Sequence, residues 1–115
     1  MPKAIFADTN LFLRYLMNDD PPQADAVEQV LIRARDGEFK LVSNALVVAE
    51  IVWVLEKVYN LARLPIRESI FAIFNTPGIE IAEADLITKA LDWYAGKNID
   101  FVDAYSACWM QAQHI

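Results

Sequence analysis

The stretch Ala4-Ile5-Phe6-Ala7-Asp8-Thr9-Asn10-Leu11-Phe12-Leu13 decides how this chain is read. Ala4 to Ala7 is a small, apolar run of strand length, and the apolar residues after Asn10 begin a helical pattern. Asp8 therefore stands where a strand turns into a helix. In an open parallel sheet, ligands bind outside the carboxyl ends of the strands, where a crevice forms. Asp, Thr and Asn are also the residues that cap helices. This segment by itself supports a ligand-binding acid and a plain cap equally.

Working outward, 115 residues with 56% hydrophobic content predict one domain over residues 1–115 with a substantial core. The formal net charge of −6 argues against holding nucleic acid on a broad basic face. It leaves open an acidic pocket in which divalent cations supply the local positive charge. Met1-Pro2-Lys3 leads straight into the first strand, so no signal peptide is expected. The apolar runs fall short of the roughly 20 residues that span a bilayer. Cys108 is the only cysteine, so no internal disulfide can form and no thiolate metal cluster is expected. These bounds predict a soluble, cytoplasmic protein with no membrane association.

Along the chain, Asp20-Pro21-Pro22-Gln23 is a helix start, with Asp as cap and Pro in the first turn. Ala24, Val27, Val30, Leu31 and Ala34 recur at helical spacing and Gly37 closes that helix. Phe39 to Ser43 reads as a second strand. Asn44 to about Tyr59 is a long helix whose apolar residues surround almost its whole circumference, predicting burial on most sides. Pro65 opens a further helix that ends at Thr76-Pro77-Gly78. Ile79 to Ala82 alternates like a third strand, Ala84 to about Ala95 returns to helix, and a last helix runs from Phe101 to about Gln113. Strands alternating with helices at this spacing predict an α/β domain with a parallel sheet.

Three acids stand out. Glu50 has Leu46, Val47, Trp53 and Val54 as its helical neighbours, so its carboxylate is desolvated unless it faces a pocket. Asp103 precedes Ala104, Ala107, Cys108 and Trp109 on a helix with few polar positions, although a first-turn acid is also favoured by the helix dipole. Asp100 reads first as the cap of that helix. Asp8, Glu50 and Asp103 can all reach one crevice at the carboxyl edge of a sheet, where they would repel each other unless a hard cation sat among them. Oxygen-only ligands favour Mg²⁺ or Mn²⁺. Such a site suits phosphodiester hydrolysis.

Phe6-Ala7-Asp8-Thr9-Asn10, Val48-Ala49-Glu50 and Asp100-Phe101-Val102-Asp103-Ala104, in that order, resemble the PIN domain, and within it the VapC-type ribonuclease toxins of toxin–antitoxin pairs. The resemblance covers essentially the whole chain. It implies a three-layer α/β/α domain and a metal-dependent endoribonuclease, the toxin of a type II pair. It further implies one or two Mg²⁺ or Mn²⁺ ions, an RNA substrate, a cognate antitoxin over the cleft and a homodimer. By motif, Asp8, Glu50 and Asp103 are the catalytic and metal-holding acids, Asp100 an accessory acid, and Thr9 or Asn10 a support for the metal or its waters. The family's further strand, with a fourth acid, has no counterpart before Ile115. The expectation is that residues beyond Ile115, or another chain, supply it, and that without it Ala4–Ala7 is an exposed edge.

The remaining residues carry less. His114 reads as solvated and Cys108 as a small core residue. Trp53, Trp93 and Trp109 read as core or dimer contacts ahead of base-stacking platforms. Arg14, Lys40, Arg63 and Arg67 fit an RNA path or a solvated face equally. A haloacid-dehalogenase-like phosphatase needs an Asp where Asn10 stands, and a response-regulator receiver needs a middle-strand Asp and a late Lys. The stronger rival is a catalytically impaired PIN-like domain serving as a binding or assembly module.

Overall fold

The computed structural model describes residues 3–115. Strand β1 (Lys3–Phe6) is followed by α1 (Thr9–Met17), α2 (Pro21–Arg35), β2 (Phe39–Ser43), α3 (Ala45–Lys57), α4 (Arg63–Phe74), β3 (Ile79–Ile81), α5 (Ala84–Lys97) and α6 (Phe101–Ala112). The α/β reading and the order of elements stand. One helix start moves: α4 begins at Arg63, so Pro65 is its third residue, where the missing N–H has no helical partner to lose.

The three strands are parallel in the order β1-β2-β3, with Ile5 beside Leu41 and Leu41 beside Ile79. Sequential order with right-handed crossovers brings both helical connections onto one face. That face carries buried Phe39, Leu41, Ser43 and Ile79. The other carries Phe6, Lys40 and Glu80, all exposed, with Lys40 and Glu80 paired across the strands at 3.0 Å. The helices α5 and α6 pack on each other and on α4 and α3. The three-stranded parallel sheet is thus flanked by six helices, as the α/β reading expects. Every residue of β1 is exposed, as expected for the edge strand of the described sheet.

Within the core, Phe12, Ile51, Leu55, Ile66, Leu91 and Tyr94 are essentially inaccessible to solvent. Each large apolar side chain so buried contributes about 1.5–3 kcal/mol. Gly78 permits the close approach that seats β3 beside α2. It sits at φ +88°, and a Cβ there would lie 2.6 Å from the Ala34 carbonyl. Its own carbonyl accepts from the Leu41 amide at 2.9 Å.

Helix α3 corrects one expectation. Leu46 is 79% exposed and Trp53 59%, so the apolar circumference is buried on the Val47, Val48, Ile51 and Leu55 side only. Trp109 is likewise exposed, whereas Trp93 is half-buried and packs against the core. Among the described residues no helix is long and apolar enough to cross a membrane.

Candidate active site

The end of β1 is held by two buried hydrogen bonds. The Ala7 amide donates to the Val42 carbonyl at 2.8 Å, and the Ser43 hydroxyl donates to the Ala7 carbonyl at 2.9 Å. They fix the backbone from which Asp8 projects. One Asp8 oxygen accepts from the Leu11 amide at 3.1 Å, so Asp8 does cap α1. Its carboxylate is nevertheless exposed and lines a cavity of about 570 Å³ with Asn10, Arg14 and Gln23. Cap and ligand are compatible roles, since a carboxylate offers four lone-pair sites.

Thr9, next in the chain, is buried, and its Oγ1 donates to Glu50 Oε2 at 2.7 Å. This bond joins α1 to α3 and brings the second acid to the residue beside the first. Glu50 is exposed, so its carboxylate escapes the desolvation that its apolar helical neighbours would otherwise impose. The reason is the bare flank of α3: its neighbours Leu46 and Trp53 are themselves open to water. Of the two supporting residues expected, Thr9 is committed to Glu50 and Asn10 lines the Asp8 cavity.

Asp103 lies in the first turn of α6 and is exposed. It lines a different cavity, of about 310 Å³, with Ala49, Val52, Trp53, Glu56 and Val102. Asp100 occupies the cap position of α6 but its side chain makes no capping hydrogen bond. Its Oδ1 lies instead 3.5 Å from Arg63 Nη2. Arg63 also donates to the carbonyls of Tyr94 and Ile99, at 2.9 and 2.7 Å. The buried Tyr94 hydroxyl donates to Glu56 at 2.5 Å. That bond holds the Glu56 carboxyl below its ordinary range, while burial, and then the same bond, pushes the Tyr94 hydroxyl well up.

Glu50 is therefore tied to Thr9, the residue after Asp8, whereas Asp103 lines a separate cavity beside α3. Among the described residues no three His, Cys, Asp or Glu side chains form a group able to grip one ion. Asp8 and Glu50 do suit a hard cation by chemistry. Both offer only oxygen, both are open to water, and Mg²⁺ is commonly held by one or two carboxylates completed by water and a substrate phosphate. Cys108 is buried, with its thiol pushed up by that burial, and His114 is exposed beyond α6. Lys40 and Arg67 are engaged with Glu80 and with Asp92, whereas Arg14 faces the Asp8 cavity.

Sequence reading missed Ser43, Glu56 and Tyr94 and gave Arg63 no structural task. Ser43 had a signal, a small polar residue ending an otherwise apolar strand. Tyr94 and Glu56 had none, because their partnership spans 38 residues.

A family profile described as the PIN domain matches residues 5–115, a span that includes all the acids above. Searches of curated proteins and of solved structures gave no match. PIN domains are generally metal-dependent nucleases. With the profile covering all but the first four residues, and a parallel α/β fold that puts an Asp at the end of β1, the chain belongs to the PIN domain family.

Proposed function

We propose that this protein is a divalent-metal-dependent endoribonuclease that hydrolyses RNA phosphodiester bonds, acting in the cytoplasm as the VapC-like toxin of a type II toxin–antitoxin pair. The observation that carries this reading is the Thr9–Glu50 hydrogen bond, which ties Glu50 to the residue after Asp8 at the carboxyl end of β1. Asp8 and Glu50 would hold Mg²⁺ or Mn²⁺, with Asp103 as the third acid on α6. When bound, the ion supplies Lewis acidity toward the phosphate and a water activated near neutral pH.

The chain's own groups do the rest. Thr9 orients Glu50, and Arg14, across the cavity from Asp8, offers a planar guanidinium to a phosphate. Exposed Leu46, Trp53 and Val102 flank the acids and suit the second copy of a homodimer, and a cognate antitoxin would act by covering the cleft. Asp100 is not included among the metal-holding residues, because its carboxylate faces Arg63.

Cleavage of structured and single-stranded RNA should be measured with Mn²⁺ or Mg²⁺, against EDTA and against Asp8→Asn. Cleavage that needs the metal and disappears in Asp8→Asn is the expected result. Cleavage indifferent to EDTA or to the substitution would sink the mechanism. The separation of Asp103 from the other two acids favours a second reading, a catalytically impaired PIN domain that serves as a binding module. Calorimetry separates the two: the nuclease binds Mn²⁺ and loses that binding in Asp8→Asn, and the module binds none.

A further inference from the structure

Arg63, Tyr94, Glu56 and Asp100 take no part in the chemistry proposed above, yet they form a bonded polar group beside the start of α6. Arg63, in the first turn of α4, reaches two carbonyls and a carboxylate at once. Nη1 serves Tyr94 and Ile99, Nη2 lies 3.5 Å from Asp100, and the guanidinium lies 4.3 Å from the centre of the Tyr94 ring. The Tyr94 carbonyl belongs to the last turn of α5, where helical carbonyls lack partners of their own. One planar cation thus binds the end of α5, the connecting turn and the cap residue of α6. The same Tyr94 reaches Glu56 on α3 with its hydroxyl.

We infer that Arg63 is a positioning residue that sets where α6, and with it Asp103, stands against α3. Asp103 lies about one helical turn beyond Asp100, and Glu50 lies about 9 Å along α3 from Glu56 at 1.5 Å per residue. Both acids are therefore short rigid extensions of the points that Arg63 and Tyr94 join. The same contact draws the Asp100 carboxylate away from the metal-holding set and leaves Asp103 as the acid that α6 presents. Lysine cannot replace this arrangement, because its ammonium lacks the flat fork that serves two carbonyls and a carboxylate together.

The consequence for catalysis rests on the nuclease reading, and the test keeps the two apart. Arg63→Met, Arg63→Lys, Asp103→Asn and the combination of Arg63→Met with Asp103→Asn should be compared, with Ile70→Val, a buried α4 position, as a control for simple loss of stability. With RNA and Mn²⁺, at a temperature where every variant is folded, Arg63→Met should lower kcat by about 10–100-fold, the range for residues that orient metal ligands. Arg63→Lys should restore only part of that. In the Asp103→Asn background Arg63→Met should cost little more, because it acts through the acid already removed.

Independent, multiplicative losses from Arg63→Met and Asp103→Asn would overturn the inference. So would an unchanged kcat in Arg63→Met. A second readout needs no metal: exchange of the Ala104 amide, which donates to the Asp100 carbonyl at 2.9 Å, should quicken by about tenfold in Arg63→Met and stay unchanged in Ile70→Val. Unaltered exchange in Arg63→Met would overturn the inference even if wild-type protein cleaved no RNA and bound no Mn²⁺, an outcome that by itself defeats the nuclease reading.

Discussion

The two acidic stretches of the site are held in opposite ways. At the end of β1, Asp8 and Glu50 are each held by a short local contact, Asp8 by capping its helix and Glu50 by the hydroxyl of Thr9. At the start of α6, Asp103 makes no hydrogen bond among the described contacts. Its place is set from a distance, through Arg63, Tyr94 and Glu56. The first stretch can be tuned by single local atoms. The second can be moved only by shifting helices, so it should couple activity to stability more strongly.

Glu50→Gln is the sharpest way to break this comparison. A Gln side-chain oxygen can still accept from Thr9, so the fold should lose under about 0.5 kcal/mol, as for surface changes in general. The negative charge is gone, and metal-dependent RNA cleavage should fall by at least about 100-fold, beyond the range seen for residues that only orient ligands. Urea denaturation beside cleavage kinetics checks both halves. A large stability loss would mean that Glu50 is a structural anchor and not a metal-facing acid.

Tyr94→Phe probes the other stretch and should act first on stability. It removes a hydrogen bond to a charged carboxylate, a loss of about 1.5–3 kcal/mol. Its pH signature follows from the two perturbed groups. Glu56 ionises more readily folded than unfolded, so its contribution is present above about pH 4.5 and is lost as the pH falls through its lower folded value. Tyr94 stays protonated in the fold beyond its ordinary pKa of 10.0, so its contribution is present below pH 10 and is lost as the pH rises past it. Tyr94→Phe should therefore flatten both the acid and the alkaline decline. Urea midpoints at pH 3, 7, 9 and 11 would show it, and an unchanged alkaline slope would remove Tyr94 from this account.

The same division explains what was legible in the sequence. The β1 end could be read because its signals are local: an apolar run, a capping acid, and a carboxylate at helical spacing among apolar neighbours. Asp8 and Glu50 were singled out from such signals as candidates, and β2 was placed to the residue. The burial of α3 on most sides was misread, since periodicity reports which residues are apolar and not whether another layer covers them. Leu46 and Trp53 lie on a flank of α3 that stays open to solvent. Asp100 was read as a cap because the competing Arg63 lies 37 residues earlier, and such competition leaves no mark in local spacing.

Thr9→Val carries the smallest expected effect and tests the local half of the comparison most directly. Valine keeps the shape of the buried side chain but cannot donate to Glu50, and one such hydrogen bond is worth about 1 kcal/mol net. Released from Thr9, Glu50 keeps its charge but not its direction, so cleavage should fall by about tenfold, the low end for residues that orient ligands. Thr9→Ser retains the hydroxyl and should recover most of the activity while losing some packing. Mn²⁺ titrations of both variants complete the measurement. Weakened metal binding in Thr9→Val, restored in Thr9→Ser, would establish that the hydroxyl orients Glu50. Unchanged binding and cleavage in both would mean that Glu50 finds its direction from α3 alone, and the β1 stretch would then be held by its helices, as the α6 stretch is.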